Sequence, residues 1–177
     1  MKTMLTILVA VLSTFCFSLQ NSFAESPIIA KSNIKNNSGE IVGLASFIES
    51  SEGVNIAVLV QSLTPGLHGI HIHQIGICNK PDFKSAGGHF NPFAMSHGTK
   101  NPKGYHVGDL ANIYIKPDGT GSLLITSHLS TLEHGINSLL KKDGTSIVIH
   151  SGPDDLISDP SGNAGKRVAC GVIKKLK

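Results

Sequence analysis

The sequence predicts an all-β fold, an eight-stranded Greek-key β-barrel or sandwich with two long functional loops. Three observations predict it. Short β-branched runs recur along the chain, turn-forming residues separate them, and no stretch carries a convincing amphipathic-helix pattern. Ile28–Ile34, Ile41–Ile48 and Val54–Val60 come first, divided by Asn37-Ser38-Gly39 and Ser51-Glu52-Gly53. Leu67–His73 follows Pro65-Gly66. Leu110–Ile115 stops before Pro117-Asp118-Gly119, and Gly121–Ser127 starts after it. Thr145–His150 follows Asp143-Gly144, and Val168–Lys174 closes the set. Ile136–Lys142 has room for a helical turn or two. Two stretches resist strand assignment, about Gly76–Asp109 and about Ser151–Arg167. Loops of that length on a compact β scaffold are usually functional or mobile.

The chain has 177 residues, enough for one ordinary domain. With 40% apolar and 15% charged residues it is too apolar for intrinsic disorder. Trp is absent, so Ile, Val, Leu, Ala and seven Phe must build the core. The formal charge is +3, with basic residues spread along the chain, which argues against a nucleic-acid partner. Residues 1–24 read as a cleaved secretory signal: Lys2, an apolar run from Met4 to Leu19, then Ser22-Phe23-Ala24 before Glu25. The alternative is a retained membrane anchor, for which the run is short and is interrupted by Ser13, Thr14 and Ser18. A lipid anchor on Cys16 is disfavoured by Phe15 before it. Cleavage leaves residues 25–177 as one exported, soluble domain with no membrane segment. Removing Lys2 takes its charge from +3 to +2.

Export changes the meaning of the cysteines. Cys78 and Cys170 remain, 92 positions apart, and read as a disulfide rather than two buried thiols. Closing so long a loop stabilises a fold by ~4–5 kcal/mol in the chain-entropy account.

Nine histidines are the unusual entry in the composition. His71 and His73 are two apart in a predicted strand, so both imidazoles project to one face. His89, His97 and His106, with Asp109 three positions later, offer three imidazoles and a carboxylate, a natural four-coordinate zinc set. His150 ends an apolar strand, where a lone histidine is more often a hydrogen-bonded strand end. His68, His128 and His134 are left over. The expectation is backbone hydrogen bonding for His68 and solvation for the other two.

These residues sit in blocks that resemble the copper/zinc superoxide dismutases, most closely their bacterial periplasmic branch. The blocks are Gly66-Leu67-His68-Gly69-Ile70-His71-Ile72-His73, Ala86-Gly87-Gly88-His89-Phe90-Asn91-Pro92, and His97-Gly98. They continue with His106-Val107-Gly108-Asp109-Leu110, Ile149-His150 with Asp154-Asp155, and the run from Gly162 to Ile173. The resemblance spans roughly Ile28 to Lys174 in family order. It implies copper on His71, His73, His89 and His150, and zinc on His89, His97, His106 and Asp109, with His89 bridging. Each subunit would hold one copper and one zinc. It implies that Asp154 hydrogen-bonds a ligand of each metal, that Cys78–Cys170 is the family disulfide, and that Arg167 guides the anion beside the copper.

The implied reaction is dismutation of superoxide to dioxygen and hydrogen peroxide in the periplasm, with His89 and Arg167 as the catalytic residues and superoxide as the partner molecule. The protein would protect the cell envelope as a monomer or homodimer. Redox chemistry needs a metal that exchanges one electron, which zinc does not do and copper does. Arg167 is the single arginine, and a permanently charged planar guanidinium suits an anion site. The segments from His73 to Cys78 and from His150 to Arg167 are shorter than in eukaryotic members, so the charged guidance residues of those members do not transfer. The rival function is a copper or zinc carrier on the same fold. Metal-dependent hydrolysis is disfavoured, because the chain has no His-Glu-x-x-His pattern.

Overall fold

Alternation of buried and exposed residues makes the first strands. In Ile29–Asn36 (β1), Ala30, Ser32 and Ile34 point inward while Lys31, Asn33 and Lys35 face water. Ile41–Ser50 (β2) and Gly53–Val60 (β3) continue this pattern in an antiparallel meander, with Val42, Ala45, Phe47, Val54, Ile56 and Val58 in the core. These elements belong to a computed structural model that describes residues 28–176. The proposed signal segment lies outside the described residues.

The remaining strands are Gly66–His68 (β4), Ile70–His73 (β5), Ile113–Ile115 (β6), Gly121–Ser127 (β7), Ser146–His150 (β8), Arg167–Val172 (β9) and Lys174–Lys175 (β10). Their hydrogen-bonded order is β4-β6-β7-β3-β2-β1-β9-β8-β5, with β10 beside β1. β4 and β5 lie at opposite ends of that order yet are separated only by Gly69, so the sheet curls round and almost closes into a barrel. Gly69 donates to the Gly152 carbonyl at 2.8 Å and accepts from the His150 amide at 2.8 Å. A Cβ there would lie 2.8 Å from the Ala164 methyl.

The all-β expectation holds, with ten strands among the described residues in place of the eight expected. The run Leu67–His73 splits at Gly69 because its halves pair with different neighbours, β4 with β6 and β5 with β8. The last run splits at Ile173, whose amide turns aside to the Thr145 carbonyl. Ile136–Lys142 forms turns and no helix. Leu132 and Leu139 are buried in the main core, and Glu49 holds that segment through the Thr131 hydroxyl and the Leu132 amide. The two stretches expected to lack strands do lack named ones up to Arg167, where β9 begins, and one 3₁₀ turn at Lys84–Ala86 lies in the first.

β5 and β8 break the alternation because every residue in them is buried. Ile70, Ile72, Ile147 and Ile149 fill the barrel core. On the other face Val148 packs with Phe83, Ala86, Cys78 and Cys170 under the first long loop. The Cys78–Cys170 disulfide pins that loop to β9, with Cα atoms 5.8 Å apart. A loop thus serves as the outer layer over one side of the barrel, and the histidines lie in the seam.

Candidate metal centre

The seam is built by backbone pairing. His71 and His73 project from β5 toward the loop, where short antiparallel bridges join His71 to Asp109 and His73 to His89. Ile72 lies between them, donating to the Gly108 carbonyl and accepting from the Phe90 amide, both at 2.8 Å. Gly108 in turn donates to the Phe90 carbonyl at 2.9 Å. Any side chain at Gly108 would meet the Ile72 carbonyl at 2.1 Å, so only glycine permits this three-way contact. His150 arrives from the end of β8, directly beside β5.

Two groups of donors result, sharing His89. One is His71, His73, His89 and His150; the other is His89, His97, His106 and Asp109. Within each, the donor atoms lie within 4.8 Å of one another, and all are buried. In the first group His71 Nδ1, His73 Nε2, His89 Nε2 and His150 Nε2 are buried with no hydrogen-bond partner. Four orphaned imidazole nitrogens in one pocket carry a desolvation cost that a soft or borderline cation removes. The opposite nitrogens are anchored. His73 Nδ1 donates to the Gly87 carbonyl at 2.9 Å, His150 Nδ1 to the Gly165 carbonyl at 3.1 Å, and His71 Nε2 to Asp154 at 2.6 Å. Such outer bonds fix which nitrogen faces the ligand.

The second group closes on itself. Nδ1 of His89, His97 and His106 lie 2.8, 3.0 and 3.1 Å from Oδ1 of Asp109. A tetrahedral zinc with arms of about 2.0–2.1 Å sets its donors about 3.3 Å apart, a few tenths of an ångström wider than these contacts, so small outward shifts of the donors would admit that ion. The other carboxylate oxygen accepts the Gly98 amide at 2.8 Å and the His106 amide at 3.0 Å. Asp154 joins the halves, its Oδ2 on His71 and its Oδ1 3.1 Å from His97 Nε2.

Electrostatics separates the groups. Burial pushes His71 down to about 3, His73 to about 2 and His150 to about 4, so these imidazoles are neutral at pH 7. Burial also lowers His89, against its hydrogen bond to Asp109. Burial acts on His97 the same way, but hydrogen bonds to Asp109 and Asp154 outweigh it and raise the group to about 9. Burial would raise Asp109, yet its bonds to His106, His89 and His97 hold it far below the usual carboxylate range. Asp154 is depressed likewise by His71 and His97.

Arg167 opens β9, its Nη1 donating to the Phe83 carbonyl at 2.7 Å and its Nη2 to the Gly87 carbonyl at 2.6 Å. Gly87 therefore holds both Arg167 and His73, and the guanidinium charge disfavours protonation of His73 and His150. Every candidate residue read from the sequence thus lies in or beside this seam. Of the leftovers, His68 sets Nδ1 2.6 Å from the His150 carbonyl and Nε2 2.8 Å from the Thr64 carbonyl. Exposed His128 bonds the Glu52 carbonyl. Asn112 was missed. Its side chain clamps Asp154, donating to the carbonyl and accepting from the amide, both at 2.8 Å. A lone asparagine before a strand gives no sequence signal.

A family model described as copper/zinc superoxide dismutase matches residues 41–173. Superoxide dismutase [Cu-Zn] 1 of Aquifex aeolicus is 49% identical over 144 residues, 80% of this chain and 85% of that one. Superoxide dismutase [Cu-Zn] 2 of the same organism is 48% identical over 147 residues, 82% and 86% of the two chains. The crystal structure of a double mutant of a SOD-like protein from Bacillus subtilis superposes with a TM-score of 0.78 at 41% identity, covering 80% of this chain and 95% of that one.

Proposed function

The chain belongs to the copper/zinc superoxide dismutase family, and from that premise we propose how its residues divide the work. It is an oxidoreductase that uses copper and zinc to dismutate superoxide. His71, His73, His89 and His150 hold copper. His89, His97, His106 and Asp109 would hold zinc, and His89, common to both sets, would bridge the metals. The observation that carries this assignment is the set of four orphaned nitrogens beside a closed three-imidazole, one-carboxylate group, with His89 in both.

Copper supplies the one-electron exchange when bound, and zinc a fixed positive charge on the bridging ring. The chain's own residues do the rest. His89 Nδ1 lies 2.8 Å from Asp109 Oδ1, both of them donors of the zinc set, and zinc held there would fix the ring while its Nε2 holds and releases a proton. Asp154 holds His71 and His97 at once, which keeps the halves in register. Arg167 spends two of its five donors on backbone carbonyls and keeps its charge beside His73 and His150, where a small anion must arrive.

Residues 1–24 direct export, and the mature domain protects the periplasm from superoxide. The disulfide supports an oxidising compartment. Expression with compartment fractionation and N-terminal sequencing tests this, with a mature start at Glu25 expected. Superoxide consumption by copper- and zinc-loaded protein, with metal content per chain measured, tests the assignment. One copper and one zinc per chain without superoxide consumption would instead make the protein a metal carrier.

A further inference from the structure

Away from the metal centre, a cavity of about 470 Å³ lies between β1, the β9–β10 edge and the first loop. Lys31, Lys35, Lys80 and Lys174 line it, and the Cys78–Cys170 disulfide forms part of its wall. None of the metal-centre donors borders it.

The four lysines come from three distant parts of the sequence, and the fold gathers them. Lys31 and Lys35 share the outer face of β1 because strand residues four apart point the same way. Lys174 on β10 pairs directly opposite Lys31. Like charges directly opposed across strands are destabilising, so this pairing returns nothing to the fold itself. Lys80 reaches in from the loop, with Nζ donating to the Ser38 carbonyl at 3.0 Å. Among the described residues no Asp or Glu lines the cavity, and none of these lysines is in an ion pair. Four unneutralised ammonium groups around a concavity of small-ligand size make a focused positive field.

We propose that this cavity binds a compact phosphomonoester anion, either a free solute or the headgroup of a lipid. Ammonium groups act on phosphate as point charges from several directions, which suits a pocket rimmed by lysine better than a flat surface. The cavity is too small to seat a nucleic-acid duplex. The reading is independent of the dismutase assignment, because it rests on none of the metal-centre residues.

The test is calorimetric titration of the metal-loaded protein with fructose 1,6-bisphosphate at low salt. Saturable binding that weakens as salt rises is expected. The Lys31→Gln/Lys174→Gln variant should bind about tenfold more weakly or worse, and Lys80→Gln alone severalfold. Lys116→Gln, an exposed control outside the cavity, should match wild type. Superoxide consumption should stay unchanged in all three, which separates failure here from failure of the dismutase assignment. Retention on phosphatidic acid vesicles but not phosphatidylcholine vesicles, reversed by the bisphosphate, identifies the anion as a headgroup. Bisphosphate binding without vesicle retention identifies a free solute. Absence of bisphosphate binding at low salt, or equal binding by wild type and Lys31→Gln/Lys174→Gln, overturns the proposal. If the double variant fails to fold, equal binding by Lys80→Gln overturns it.

Discussion

The two halves of the metal centre are built in opposite ways. The half containing His71, His73 and His150 stands on barrel strands, and backbone carbonyls or Asp154 anchor its rings. Its four facing nitrogens, His89 Nε2 among them, have no partner in the protein. The half containing His97, His106 and Asp109 stands on loop, and its groups satisfy one another around one carboxylate oxygen. The barrel therefore preforms an open cluster of donors, while the loop forms a closed one whose side chains also determine the loop's own shape. A redox metal needs the first arrangement and a structural metal the second.

His89 belongs to both halves, so its removal is the largest perturbation. His89→Ala should abolish retention of both metals and cost activity far more than the roughly 10–100-fold typical of losing an outer partner of a ligand. His150→Ala should deplete mainly copper and His106→Ala mainly zinc. Metal analysis of purified variants measures this, and full retention of both metals by His89→Ala would end the bridging assignment.

The disulfide braces the open half. Cys78 follows His73 by five positions, and Cys170 follows Arg167 by three. Cys78→Ala should lower stability by about 2–5 kcal/mol and weaken copper retention, because Phe83 and Gly87, which hold Arg167 and His73, lie in the loop it releases. Chemical denaturation and metal analysis together read both effects.

Much of this was legible in the sequence, for physical reasons. β-branched runs between turn-forming residues exposed β1 to β3, and His-x-His spacing placed two rings on one strand face. What escaped notice depends on contacts between distant segments. Leu67–His73 reads as one strand, and only the closing of the barrel at Gly69 divides it. β5 and β8 lose their alternation because a loop covers them, which the sequence around Val148 cannot announce. Asn112 acts through Asp154, 42 positions away. The scattered lysines argued against clustered charge until β1, β10 and the loop brought four of them together.

Acid should expose the contrast between the halves in metal-free protein. His71, His73 and His150 have folded values of about 3, 2 and 4, against about 6.5 when unfolded. Below pH 6.5 the unfolded chain takes up protons that the folded chain refuses, so stability falls as pH falls toward 4. The loss is about 1.4 kcal/mol per pH unit for each imidazole. His97 runs the other way. Raised to about 9, its contribution is complete below 6.5 and is lost as pH climbs through 9. Metal-free protein should therefore be most stable near neutrality, and His150→Gln should flatten the acid side alone. Thermal melts across pH 4–9 measure this. Equal stability at pH 4.5 and 7 would show that the open half is not held neutral.

The smallest effect expected is on speed, and it belongs to the open half alone. Arg167 touches no donor of the closed half, while its charge is felt at His73 and His150. Steering of a monoanion by local charge typically gives tenfold or more and is screened beyond roughly 8–10 Å at physiological salt. The kcat/KM for superoxide should therefore fall as ionic strength rises. Arg167→Glu should lower it by about tenfold and reverse the salt trend. Arg167→Lys should cost less, since the charge survives while the two-pronged grip on Phe83 and Gly87 is lost. Steady-state rates at low and high salt, with copper content matched, decide it. Arg167→Glu as fast as wild type at low salt would leave the open half without its anion guide.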